Sequence, residues 1–231
     1  MINKTRKKIK ELLHQNKEQV EILVMGWIRT RRDSKGGFSF LEINDGSCLK
    51  NLQGIVDHNL DSFDRNSGKI HTGSCVSITG KLVHSPGEGQ SVELQAMVIE
   101  VYGEADPGNY PLQKKNHTFE FVREIAHLRP RTNTFGAVMR VRNRLSFAIH
   151  NFFQDRGFIY LNTPIITTND CEGAGEMFQV TTLNVDSIPK VDGSVDYSRD
   201  FFGEKTGLTV SGQLEGEVYA MALSDIYTFG P

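Results

Sequence analysis

Apolar residues recur at three- and four-residue steps late in the chain: Val138, Val141, Leu145, Ile149 and Phe152 fall on one stripe, with Arg140, Arg142, Asn143, Arg144 and Asn151 off it. This pattern predicts one long helix with a buried face. Asn133 or Thr134 is placed to cap its first turn, and Gly157 to end it in the left-handed conformation. Phe158-Ile159-Tyr160-Leu161-Asn162-Thr163-Pro164 then reads as a strand, stopped by a proline that cannot donate to a ladder. Upstream the period is two, and strands are predicted at 21–29, 38–43, 49–56, 74–81 and 91–101. Asp45-Gly46 predicts a tight hairpin between the second and third of these, and 57–68 is long enough to hold a helix between the third and fourth. Residues 4–15 read as a short helix with Ile9, Leu12 and Leu13 on one side and lysines on the other, a lid or packing element.

Three strands, a helix and two more strands is the order of an OB-fold barrel, a frequent carrier of single-stranded nucleic acid. After it, residues 102–118 carry Pro107, Gly108 and Pro111 with Lys114 and Lys115, a composition that breaks both helix and strand. A short helix follows at 119–127, closed by Leu128-Arg129-Pro130. Beyond the long helix, 177–183 reads as a strand and 184–205 as an excursion without apolar period. Residues 208–217 read as a strand running into a helix that Ser211 can cap, and 225–229 as a further strand. The expected class is α+β, with a barrel domain over 1–103, a linker over 104–118 and a second domain over 119–231.

A formal net charge of −2 over 231 residues excludes a bulk electrostatic binder of nucleic acid, so any RNA site must be a local patch. One such patch places Arg29, Arg31 and Arg32 beside Phe38 and Phe40. Guanidinium groups neutralise phosphate or stack on bases, and phenyl rings offer stacking platforms. Spacing by itself favours the other reading, in which period-two aromatics point into the barrel core. Cys48, Cys75 and Cys171 are odd in number and widely spaced, which fits neither a disulfide framework nor a zinc site and predicts a reducing, cytoplasmic setting. No apolar run approaches the ~18 residues of a membrane span, and no signal-type segment follows the basic start, so no membrane partner is expected. His117 and His127 have no partner at metal or triad spacing and read as structural, and no metal ligand is assigned.

Helix, Gly-Phe, strand and Thr-Pro, followed by Asp170-Cys171-Glu172-Gly173-Ala174-Gly175-Glu176-Met177-Phe178, resemble motif 1 and the substrate-closing loop of class II aminoacyl-tRNA synthetases, most closely the asparaginyl ones. The resemblance implies a homodimer with Pro164 at the subunit interface. The wide apolar stripe of the long helix suits such a seam. Gly26-Trp27-Ile28-Arg29-Thr30-Arg31-Arg32-Asp33, Phe40-Leu41-Glu42-Ile43-Asn44-Asp45 and Leu52-Gln53-Gly54 resemble the anticodon-binding domain of the aspartyl, asparaginyl and lysyl enzymes. By that likeness Phe40 stacks on the central anticodon base, Gln53 reads that base as a uridine, and Arg32 and Asp33 flank the first base. The Gly36-Gly37 turn departs from the aspartyl spacing by one residue.

The same resemblance places Glu172 on the ammonium group of the amino acid and Ser211 and Gln213 in its pocket. Gly216 stands where aspartyl enzymes carry a lysine, which favours a neutral amide side chain and hence L-asparagine. The implied reaction joins asparagine to tRNA(Asn) with ATP and Mg2+. The motif 2 and motif 3 arginines that hold ATP have no match before Pro231, so no catalytic residue is assigned and the chain by itself is expected to be inactive. An aspartyl enzyme and a stand-alone OB-fold tRNA-binding or dimerisation module are the alternatives.

Overall fold

The N-terminal alternating stretches pair into a closed barrel with strand order β1-β2-β3-β5-β4. Its strands are β1 (Gln19–Ser34), β2 (Phe38–Asn44), β3 (Leu52–Asp57), β4 (Cys75–His84) and β5 (Val92–Gly103). All neighbours run antiparallel except β3 and β5, whose parallel pairing closes the ring. The computed structural model describes residues 5–15, 17–87, 89–169 and 177–230. Closure needs two close backbone approaches. A Cβ on Gly26 would lie 2.4 Å from the Asn44 carbonyl oxygen and one on Gly80 2.1 Å from that of Gln95, so only glycine fits either place.

Alternation fills the barrel with Leu41, Ile43, Leu52, Val56, Ile78, Leu82, Leu94 and Ile99, all buried. Helix α1 (Ile9–Gln15) adds Ile9 and Leu12 to this core, so it is a packing element of the barrel. Asp45 fixes it: Oδ2 accepts from the Ile9 backbone N–H at 3.0 Å and faces Arg6 at 3.6 Å. The expected tight hairpin at Asp45-Gly46 is instead a longer loop, and β3 begins at Leu52 rather than at residue 49. Asn44 organises that loop, donating to the Cys48 and Lys50 carbonyls and to Asn51, and accepting from the Gly46 N–H. Helix α2 (Asp61–Asn66) fills the gap between β3 and β4 and buries Phe63.

Residues 104–131 lie along the barrel rather than free of it. The Ala105 N–H donates to Ser74 Oγ, Arg29 donates to the Arg131 carbonyl at 2.7 Å, and the Arg131 guanidinium stacks over Trp27 at 4.9 Å. Helix α3 (Phe119–Glu124) is capped by Thr118, whose hydroxyl accepts from the Phe121 N–H. The chain divides into two compact units, Met1–Val141 and Arg142–Pro231, and the division falls inside helix α4 (Asn133–Gln154). Its cap is Thr132, which accepts from the Phe135 N–H, not Asn133 or Thr134, because Asn133 already starts the helix. Gly157, at φ +83°, ends it, with the Phe158 N–H reaching back to the Phe153 carbonyl.

The predicted stripe on α4 is not buried within the chain. Val138, Val141, Leu145 and Phe152 are 46%, 64%, 59% and 50% exposed. The inward face carries His150 and Phe153, which pack on Tyr227. Phe153 stacks on that ring at 4.5 Å, and His150 Nδ1 shares a 2.8 Å hydrogen bond with its hydroxyl. Tyr227 sits on β12 (Ile226–Tyr227), paired in parallel with β6 (Ile159–Tyr160). An antiparallel sheet joins β7 (Ile166–Thr167), β11 (Thr206–Leu208) and β8 (Gln179–Val180). The excursion after β8 holds the small hairpin of β9 (Lys190–Val191) and β10 (Ser194–Val195), and α5 (Gln213–Leu223) follows β11.

Asp200 ties the end of this excursion to β8. Its carboxylate accepts from the Thr181 and Thr182 hydroxyls and from the Thr182 and Phe201 N–H groups. These bonds, the Thr181 hydroxyl foremost, hold its pKa at about 2 against an ordinary 3.8. A depressed carboxylate contributes stability that is present above the ordinary value and lost as pH falls through the depressed one. The Thr182 and Phe201 amides should therefore be protected from hydrogen exchange at pH 5 and lose protection between about pH 4 and pH 2. Asp200→Asn should remove that pH dependence, and unchanged acid sensitivity in this variant would reject the anchor.

Candidate nucleic-acid interface

Turning Ser39, Leu41 and Ile43 into the barrel forces Phe38, Phe40 and Glu42 onto its outer face. The inward reading of the two phenylalanines is thereby overturned. Register places Arg32 opposite Phe40 and Thr30 opposite Glu42 on one side, and Ile55 opposite Phe40 and Gln53 opposite Glu42 on the other. Arg32, Phe40 and Gln53 thus share one surface, with the Arg32 guanidinium 5.7 Å from the Phe40 ring centroid. Gln53 is the diagonal neighbour of Phe40, a separation of about 7–8 Å between backbones. A base stacked on Phe40 would present its edge to the Gln53 amide.

Asp33 belongs to a different cluster. Its Oδ1 accepts from Arg31 Nε at 2.8 Å and from Ser39 Oγ at 2.6 Å, while His58 Nε2 lies 2.9 Å from the same hydroxyl. The Arg31 hydrogen bond leads the effects that hold the Asp33 carboxyl below the usual range, partly offset by burial. Arg31 in turn donates to the Ser67 and Ile70 carbonyls, which fixes the whole group. Alternation sends Arg32 and Asp33 to opposite sides of β1, so the structure brings together three of the four residues matched to the anticodon.

Sequence reading missed Glu93. It lies beside Gln53, only 4% exposed, and accepts from Ser85 Oγ at 3.0 Å, Gln53 Nε2 at 3.3 Å and Gln90 Nε2 at 3.4 Å. An acceptor-only carboxylate turns the Gln53 amide so that its nitrogen faces Glu93 and its oxygen is free for a base. Nothing in the local pattern marks this glutamate, since its partners come from β3 and from the β4–β5 turn. Beside it, Leu13, Leu49, Lys50, Asn51, Gln53 and Gln90 line an open groove of about 650 Å3.

The residues matched to the amino-acid pocket lie in the second unit. Glu172 falls outside the described residues. Ser211 does not cap α5; Gly212 holds that place, and the Ser211 hydroxyl accepts from the Gln213 N–H at 3.3 Å. The Gln213 amide donates to Glu217 Oε1 at 2.9 Å, one turn on. A Cβ on Gly216 would meet only Ile226 Cδ1 at 3.9 Å, so packing does not demand glycine there. Pro164 is exposed between β6 and β7. Among the described residues no three His, Cys, Asp or Glu are grouped to hold a metal ion, and no helix is long and apolar enough to cross a membrane.

Comparison with known proteins finds matches for both parts of the chain. Residues 22–102 match the OB-fold nucleic acid binding domain, and residues 119–231 match the class II tRNA synthetases (D, K and N). Asparagine–tRNA ligase of Porphyromonas gingivalis is 57% identical over 98% of this chain and 48% of its own length, and that of Synechocystis sp. 55% identical over 98% and 49%. The chain spans about half the length of the curated relatives it matches. Asparaginyl-tRNA synthetase from Pyrococcus horikoshii, solved with asparaginyl-adenylate, superposes with a TM-score of 0.78 at 21% identity, covering all of this chain and 48% of that one, which establishes the shared fold.

An outer-face Phe40 predicts that Phe40→Ala changes folding stability by less than about 1 kcal/mol, while Leu41→Ala costs about 2–5 kcal/mol. Urea titration of the two variants distinguishes them. Equal losses would return Phe40 to the core.

Proposed function

Because the chain belongs to the class II tRNA synthetases of the D, K and N group, we propose that it carries the anticodon-recognising barrel and part of the amino-acid pocket of an asparagine–tRNA ligase. The observation that carries this reading is the single outer surface shared by Arg32, Phe40 and Gln53, with the Gln53 amide oriented by Glu93. Phe40 stacks on the central anticodon base. The Gln53 oxygen accepts the N3–H of a uridine, and its remaining N–H donates to a carbonyl of the same base. Arg32 neutralises a neighbouring phosphate or covers the next base. Asp33, held by Arg31 and Ser39 on the other side of β1, orders this strand rather than facing the stacked base.

In the second unit, Ser211 and Gln213 contribute to the pocket for L-asparagine, together with Glu172. A glycine at 216 that packing does not require supports the choice of a neutral amide over a carboxylate. The reaction consumes ATP with Mg2+. The share of this chain in that reaction is recognition of RNA and amino acid. A cytoplasmic setting goes with this reading. The exposed stripe of α4, together with the exposed Pro164, forms the twofold seam of a homodimer.

Two measurements test this. The chain should bind a tRNA(Asn) anticodon stem-loop more tightly than the same loop with cytidine at the central position. Phe40→Ala should weaken binding by about 1–3 kcal/mol, and Gln53→Ala should abolish the preference for uridine. Equal affinity of the unaltered chain for both loops would reject the reading. For the seam, sedimentation should show a dimer that Leu145→Glu weakens by about 2 kcal/mol or more, since twofold symmetry introduces the charge twice. A strict monomer at high concentration would remove the homodimer.

A further inference from the structure

The basic stretch that leads into α1 spends only Arg6 on the barrel, through Asp45. Arg6, Lys7, Lys8 and Lys10 stand against the single carboxylate Glu11 between Thr5 and Gln15, a local excess of cations in a chain of net charge −2. Lys7, Lys8 and Lys10 are exposed, and no ion pair or hydrogen bond engages their side chains among the described residues. Their backbone is nevertheless fixed. The Lys7 N–H donates to the Leu23 carbonyl, the Lys10 N–H to Ser47 Oγ, and Ile9 and Leu12 are sealed in the barrel core.

Lysines whose backbone is held to a folded barrel differ from a run in a free tail. The backbone ordering cost is already met, and only the side chains remain to be ordered on binding. Leu13 of α1 lines the same groove as Gln53, so the helix borders the surface on which the anticodon is read. We infer that Lys7, Lys8 and Lys10 form a second RNA contact, gripping backbone phosphates of the anticodon arm beside the base-reading face. This rests on the anticodon reading above and adds to it a sequence-independent electrostatic element. A membrane surface is the less suitable anionic partner. An interfacial helix must offer apolar residues to lipid, and here Ile9 and Leu12 are inside the barrel.

Phosphate contacts and base contacts separate in their salt dependence. For the unaltered chain and the triple variant Lys7→Gln/Lys8→Gln/Lys10→Gln, affinity for the uridine and cytidine stem-loops is measured from 50 to 200 mM salt. Three released phosphates should flatten the plot of log affinity against log salt by about 2, so the unaltered chain loses about twentyfold more affinity across that range than the variant. The uridine preference should be the same in both. The triple Lys→Arg variant keeps the charges and should keep the original slope.

An unchanged slope in the glutamine variant would overturn the inference, as would a loss of affinity that the arginine variant shares. Loss of uridine preference with an unchanged slope would point to disturbed base reading and also overturn it. Binding of anionic phospholipid vesicles through these lysines, with the RNA slope unchanged, would assign the face to a membrane instead. Failure of the anticodon reading is seen separately, as absent uridine preference in the unaltered chain.

Discussion

The inward turn of Ser39, Leu41 and Ile43 is the constraint on which the rest of the first unit depends. In a strand the side-chain period is two, so those three burials decide where Phe38, Phe40 and Glu42 go. Pairing with β1 and β3 then sets Arg32 and Gln53 on the same side as Phe40 without any further contact. A slip of one residue would bury the platform and expose the core. Closure at Gly26 and Gly80 excludes such a slip, since each leaves no room for a side chain. The proposed base reading would therefore inherit its accuracy from the packing of the barrel's interior, on the opposite face of the same strands.

Strand order, the α2 position and the end of α4 at Gly157 were legible because each rests on local chemistry: alternation, chain length and a positive φ. What covers an apolar face was not legible. The stripe of Val138, Val141, Leu145 and Phe152 follows the helical period faithfully and still faces outward, while the adjacent Phe153 packs on Tyr227. Periodicity identifies a face, and only tertiary contacts say whether this chain or another buries it. Phe40 shows the converse. Spacing favoured the core, and resemblance pointed to the surface where the register places it.

The candidate site divides along the same line. Arg32, Phe40 and Gln53 were named from short matches, and pairing unites them on one face. Asp33, next to Arg32 in sequence, joins Arg31, Ser39 and His58 instead. Glu93 escaped notice because its meaning lies in three donors drawn from separate segments. A lone glutamate in a strand carries no mark of that. Burial behind Gln53 and Gln90 gives it one function compatible with its surroundings, which is to accept.

Charge completes the division of labour. A chain of net charge −2 cannot attract RNA over its whole surface, so affinity has to come from placed cations. Arg29 and Arg31 are committed to carbonyls of the chain itself, where they order the barrel and the segment after it. Arg32 stands over Phe40 on the outer face, committed to no carbonyl among the described residues. Asp45 extends the argument to α1. By accepting from the Ile9 N–H it holds the helix, and with it three uncommitted lysines, against the barrel. Thus one carboxylate inside the β2–β3 loop fixes the start of α1 and the basic stretch before it to the barrel, and the negative charge it contributes is already offset by Arg6 and its own hydrogen bonds.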